Sequence, residues 1–363
     1  MNTWRGSKLT VSIYGESHGR GVGLTADGLP CGTELDSAYI EHLLQLRRAH
    51  GGATTTRLEK DEYEILSGVY EGRTNGAPLC VFFPNRDVKS VSYNRNIPRP
   101  SHADFPAYVK YNGMCDLRGG GHFSARLTAP LVFLGAICER ELKNRGILCA
   151  AAIRSVGDID AGSFYDAETD DELLSRLDCR MPLIDESKKD AIDRLLMSLR
   201  EEKNTIGGSV ELFMKGLPVG LGEPFFDSLE SRLSHLMFSI PAVKAVEFGK
   251  GFSLCSMRGS DAADEYNADA IKQKLQGLNN SAEIAYSNNA GGISGGLSTS
   301  MPLIMRVGFK PIPSVGQELR SVDMQSYEPV IVKTEGRHDV CAALRGACVV
   351  RSLACICIFD LLC

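Results

Sequence analysis

The chain has no excess of positive charge: 40 lysines and arginines stand against 45 aspartates and glutamates, for a net charge of −5. A binder of nucleic acid or of an acidic membrane would carry a basic face, so neither role fits, and any arginines that matter must act locally. There is no C-x-x-C pair. The twelve cysteines are scattered, with Cys355 and Cys357 the closest two, and reduced core thiols are expected rather than disulfides or a zinc site. Long apolar runs are missing as well. The first fifteen residues, MNTWRGSKLTVSIYG, contain no signal-peptide core, and no stretch approaches eighteen uncharged apolar residues, so a cytoplasmic chain is the expectation. Fixed-period repeats, low-complexity tracts and Pro-rich linkers are absent too. The 363 residues, 43% hydrophobic and 23% charged, are therefore expected to form one ordered domain, 1–363.

Within that frame the pattern is mixed α and β. DSAYIEHLLQLRR (36–48) sets Ile40, Leu43, Leu44 and Arg47 at helical spacing behind a capping Asp36 or Ser37. Segments 63–71 and 77–83 read as strands. A long helix is expected from Ser124, with a stripe of Leu127, Leu131, Leu134, Cys138 and Leu142 and a terminating Gly146. Further helices are expected near 185–202 and 227–239, and strands near 207–215 and 242–255. The polar stretch 259–296, ending in SNNAGGISGGLS, reads as a binding loop. The last segment, CAALRGACVVRSLACICIFDLL, is apolar almost all round and should be a buried helix.

The chemistry gathers in a few glycine-, histidine- and arginine-rich segments. YGESHG formally satisfies the G-x-S-x-G nucleophile elbow at Ser17, but too little chain precedes it for a sheet already begun, and the following segment looks extended. The alternative is a glycine-flanked turn that presents His18 as a proton donor. PRPSHADF offers His102 behind Arg99, with Asp104 nearby, and GRHDVC offers Arg337, His338 and Asp339; a helix cap is the plainer reading of each aspartate. In RGGGHFSARLTAP (118–130), Gly119–Gly121 and Ser124 suggest a backbone cradle at a helix start, flanked by Arg118 and Arg126, which suits an anion. Neither G-K-[ST] nor G-x-G-x-x-G occurs there, so an ordinary ATPase or nicotinamide dehydrogenase is not indicated. Arg47, Arg48, Arg99, Arg118, Arg126 and Arg337 all fall in or beside these segments, which points to a highly anionic small substrate. A serine hydrolase built on Ser17 and a non-catalytic binder of an anionic metabolite are the competing readings.

Six blocks, GESHG, RPSHADF…KYNG, DLRGGGHFSARLTAP, NNAGGISGG, FKPIPS and GRHDVC, resemble in order the signature blocks of chorismate synthase, over positions 15 to 341. The resemblance implies an α+β fold, a β-α-β sandwich with a helical layer between two antiparallel sheets, assembled as a homotetramer. It implies anti-1,4-elimination of phosphate from 5-enolpyruvylshikimate 3-phosphate to give chorismate, with reduced FMN required, NADP associated with the activity, and an external flavin reductase as the favoured electron source. It assigns His18, with Ser17 beside it, to protonating the departing phosphate, His102 to the flavin N1 and C2 carbonyl region, and Asp339 to the neighbourhood of flavin N5. Arg47, Arg99, Arg126 and Arg337 become the substrate clamp. His122, Phe123, Ser124, Asn289, Ala290, Gly291, Lys310, Pro311, Ile312, Pro313, Ser314 and Arg337 become the flavin contacts. Three places depart from the family pattern. His122 and Phe123 replace part of R-S-S-A-R. AHGGATTTR lacks the second arginine of the usual loop, for which Arg57 would substitute. Pro241 stands where Asn is usual.

Overall fold

The computed structural model describes residues 2–49, 60–86, 94–279, 282–334 and 339–363. Two five-stranded antiparallel sheets enclose a layer of helices. The first sheet runs β1 (Thr3–Arg5), β2 (Thr10–Gly15), β3 (Gly21–Asp27), then Leu79–Pro84 and Glu64–Ser67. Alternation decides its faces. Val22, Leu24 and Ala26 lie opposite Phe83, Val81 and Leu79, and all six are buried on the side toward the helices.

The second sheet is ordered Val243–Phe248, Leu303–Phe309, Gly208–Lys215, Leu148–Val156, Ile159–Asp160. One face gives Val210, Leu212, Met214, Met305 and Val307 to the main core, while Phe213 and Ile304 on the other face pack under Phe164, Leu173 and Leu177. Burial on both faces is why VELFM and CAAAI read as nearly continuous apolar runs.

Four helices fill the layer between the sheets: α1 (Ser37–Arg47), α3 (Thr128–Asn144), Leu229–Met237 and the C-terminal Ala343–Leu362, while α2 (Asp104–Lys110) lies in the segment that carries His102. Asp36 caps α1, its carboxylate accepting from the Tyr39 N–H at 3.0 Å. At the end of α3, Gly146 has φ 78° and the Ile147 N–H reaches back to the Leu142 carbonyl at 2.9 Å, closing off the helix where the sequence signals it. Phe133, fully buried, meets Tyr63 edge-on at 4.9 Å between ring centroids, and truncating such a ring to alanine costs about 3–5 kcal/mol.

α3 and the C-terminal helix approach closely at Gly135, where an added Cβ would sit 2.7 Å from the Ser352 Cα. The buried polar interruptions in these helices, Thr128, Glu139, Arg351, Ser352 and Asp360, each have a partner. Arg351 Nη2 donates to Glu139 at 2.7 Å and its Nη1 to Asp178 at 2.7 Å, and Asp360 accepts the N–H groups of Ser7, Lys8 and Leu9. Segment 118–144 is long and apolar enough by composition to cross a bilayer, yet 78% of its most apolar window is buried inside the molecule.

Four expectations about elements need correction. The 63–71 strand is broken at Gly68 into two short pieces. The strand from 243 stops at Phe248, and a 3-10 turn, Gly251–Ser256, follows. The 259–296 stretch is not loop throughout, since Asn267 caps a helix, Ala268–Leu275. The helix expected at Ser124 begins with a 3-10 turn, Ala125–Leu127, capped by the Ser124 hydroxyl, and becomes α-helical only at Thr128.

Candidate active site

At one end of the helical layer, segments far apart in sequence meet around a cavity of about 930 Å³. His18, Arg47, Arg99, His102, Arg126 and Asp339 line it together, joined by Arg48, Lys310 and Arg345. Trp4, Leu131, Ile240, Val349, Leu353 and Ile356 give the same cavity apolar lining as well.

His18 sits in the turn between antiparallel strands β2 and β3. A hydrolase elbow needs a strand leading into a helix, so this geometry rules it out; Ser17, 1% exposed, lies behind His18 and does not line the cavity. Asn85 pins the turn. Its amide nitrogen lies 2.9, 3.0 and 3.1 Å from the carbonyls of Glu16, Ser17 and Gly19, and its carbonyl accepts from Arg126 Nε at 3.1 Å.

Gly119, Gly120 and Ser124 line the cavity, but the anion cradle expected there is only in part open, since two of its amides are already bonded. The Gly120 N–H is bonded to the Leu117 carbonyl and the Ser124 N–H to the Gly121 carbonyl, which in turn also accepts the Ser17 N–H at 3.1 Å. Gly119 has φ 59°, and a Cβ there would come within 2.5 Å of the His18 ring; at Gly121 (φ 54°, ψ −129°) it would overlap the Asp116 carbonyl. Only glycine lets this segment wrap the histidine turn so closely. Arg118 is a second correction. It turns outward and pairs with Asp116 at 2.8 Å, so it does not charge the cavity.

His102 is held from the other side, its Nε2 2.6 Å from the Ser314 hydroxyl. Arg99 is gripped by Asp104, Nε to Oδ2 at 2.7 Å and Nη2 to Oδ1 at 2.8 Å. Burial pushes the Asp104 carboxyl up, but the Arg99 contacts outweigh it and hold it below the usual carboxylate range. The aspartate is thus an ion-pair partner more than a cap. Lys310 Nζ donates to the Ser101 carbonyl at 2.8 Å. Asp339 accepts from Arg345 at 2.8 Å, and Arg345 also donates to the Arg47 carbonyl at 2.7 Å.

Asp61 went unremarked in the sequence. Its carboxylate, entirely buried, lies between Arg47, at 2.5 Å, and Arg126. Burial raises this carboxyl as well, and the two guanidiniums overcome that and hold it low. Nothing in the sequence pattern marks Asp61, Asn85 or Arg345, because each acts on a partner 41 or more positions away or, for Asp61, across a loop.

Of the residues expected to hold a flavin, His122, Phe123, Ser124, Lys310, Ile312, Pro313 and Ser314 line the cavity, as does Pro241. His122 lies edge-on to Tyr111, with ring centroids 5.4 Å apart. Asn289, Ala290 and Gly291 are not brought there: the first two bind Asp264 through their backbone amides at 2.7 and 2.9 Å, and Gly291 packs on Gly249. Pro311 faces Gly207. Arg337, His338 and Arg57 lie outside the described residues.

The chorismate synthase family model matches residues 9–363. The chain belongs to the chorismate synthase family. Chorismate synthase of Thermococcus kodakarensis is 39% identical over 358 residues, covering 98% of this chain and 96% of that protein. The Aeropyrum pernix chorismate synthase is 41% identical over 360 residues, covering 98% and 92%. A solved crystal structure of chorismate synthase superimposes with a TM-score of 0.74 at 28% identity, over 99% of this chain and 92% of that one. The α+β sandwich expected from the resemblance is the fold observed, and the segments of this chain that carry His18, Arg47, Arg99, His102 and Arg126 converge on the cavity.

Proposed function

We propose that the chain performs the reaction for which its family is named, the elimination of phosphate from 5-enolpyruvylshikimate 3-phosphate to give chorismate, the last step of the shikimate pathway. One observation carries the reading: His18, His102, Arg47, Arg99 and Arg126, drawn from four separate segments, line a single cavity. In the reaction the C–O bond to phosphate breaks, the phosphate leaves with the electron pair, a hydrogen is lost from the ring across a 1,4 relation, and a new double bond forms. No net oxidation occurs.

The arginines bind the phosphate and carboxylates as guanidinium forks. His18 gives its proton to the departing phosphate oxygen, and the turn pinned by Asn85 fixes where that proton stands. Reduced FMN fits the cavity's composition, which joins cationic and other polar groups to apolar side chains, and the volume of about 930 Å³ is at the upper end of that for one bound ligand. When bound, it supplies the electron density that helps remove a hydrogen too weakly acidic for a side-chain base alone. His102, steadied by Ser314, would hold its N1 and C2 carbonyl side and Asp339 would lie toward N5, with His122, Phe123, Ser124, Lys310, Ile312 and Pro313 around it. The chain works as one domain in a homotetramer in the cytoplasm, its flavin reduced by a separate reductase.

Mixing the protein with reduced FMN and 5-enolpyruvylshikimate 3-phosphate without oxygen should release phosphate. His18→Ala and His102→Ala should each lower turnover by roughly 10²- to 10⁴-fold. No phosphate release from the unaltered chain, or full turnover by both variants, would refute the assignment.

A further inference from the structure

We infer that Asp61 is a positioning residue that holds Arg47 and Arg126 as a fixed pair facing the cavity; as a statement about the natural substrate, this rests on the function proposed above. Asp61 has no exposed side-chain surface, and each of its oxygens takes a different guanidinium, Oδ2 that of Arg47 and Oδ1 that of Arg126. Its backbone has φ 51°, a conformation uncommon for a residue with a side chain and kept only where the surroundings impose it.

The two arginines are themselves 3% and 6% exposed, so they cannot swing to solvent for hydration. Side by side and unscreened they repel each other, and a carboxylate between them removes that repulsion and sets both planes at once. Arg126 is fixed from a second side by Asn85. The Arg47 Nε–H is buried and has no partner among the described residues, so this guanidinium is held on the Asp61 side alone through Nη2.

Charge supports the same role. Arg48 lies 3.8 Å from Asp61 through Nε and 2.8 Å from Glu41 through Nη1, and Arg345, beside Arg47, is paired with Asp339, so each further cation here has a carboxylate of its own and Asp61 is left to the Arg47 and Arg126 pair.

Asp61→Asn keeps the size, removes the charge and leaves one acceptor for two guanidiniums. The expected result is a split: kcat falls by about 10²-fold, the scale of a 1 Å misplacement, while affinity for inorganic phosphate, measured by calorimetry, does not fall because a negative charge has gone. Asp61→Glu should recover part of kcat. Normal kcat in folded Asp61→Asn overturns the inference. Should Asp61→Asn fail to fold, ¹⁵N spectra of the unaltered protein decide: hindered guanidinium rotation at Arg47 and Arg126 without ligand supports the inference, and free rotation at both overturns it. An unaltered chain that binds phosphate but does not turn over 5-enolpyruvylshikimate 3-phosphate counts against the proposed function. An active chain whose Asp61→Asn variant is equally active counts against Asp61 alone.

Discussion

Two neighbouring glycines make a controlled experiment. Gly119 and Gly120 both have left-handed backbones, φ 59° and 86°, so alanine at either carries a strain of about 1–2 kcal/mol. At about 2.1 cal/mol/K per residue, that strain lowers the melting temperature of this chain by about 1–3 °C. The surroundings differ. A Cβ on Gly120 meets only the Ser124 Cβ at 3.6 Å, an ordinary contact, whereas one on Gly119 lies 2.5 Å from Cδ2 and Nε2 of His18 and 2.9 Å from the Ser17 hydroxyl. Carbon contacts settle near 3.5–4.0 Å, so the imidazole must retreat by about 1 Å, a displacement that can cost about 10²-fold in rate. Melting scans and anaerobic phosphate release with reduced FMN, run on both variants, should therefore show similar small losses of stability and very different activities. Equal turnover by Gly119→Ala and Gly120→Ala, whether high or low, would refute the claim that the triple glycine exists to seat His18.

Two further outcomes follow from burial. Cys31 and Cys255 are exposed, while burial pushes Cys341 up to about 11 and Cys348 and Cys357 up to about 12. Alkylation of the native protein, read by mass spectrometry, should thus modify the first two long before the others, and equal rates would contradict the packing of the C-terminal helix. Asp61, Asp104 and Asp178 are each pushed up by burial but held below their ordinary values by Arg47 and Arg126, by Arg99, and by Arg351 respectively. Their stabilising effect is complete above the unfolded carboxyl pKa of about 4 and is lost as pH falls through the lower folded values. Melting temperature should decline below about pH 4, and a chain that became more stable on acidification from there would contradict these pairings.

Elements whose signals are local were legible. Asp36 before an apolar stripe marked α1, Gly146 marked the end of α3, and the all-round apolar segment 341–362 announced a helix with no exposed face. The signal blocks around His18, His102, Arg126 and Lys310 were legible too, since glycine, proline and histidine at fixed short spacing carry their own conformational meaning. The strand from 243 was read too long because Gly249 and Gly251 end it through positive φ, at 60° and 53°, against an apolar composition that continues to Cys255.

Sequence alone pointed to an anionic small molecule as the ligand of this acidic chain, and named the short segments whose cations would meet it. Tertiary structure decided which of those cations point inward. Arg118 looked as good as Arg126 from its neighbours, yet one is taken by Asp116 two residues away and turns to solvent, while the other is drawn inside by Asp61 and Asn85. A charge pair across 65 residues, or a hydrogen bond across 41, leaves no local pattern, and the strength of each depends on burial that exists only once two sheets have closed over the helices.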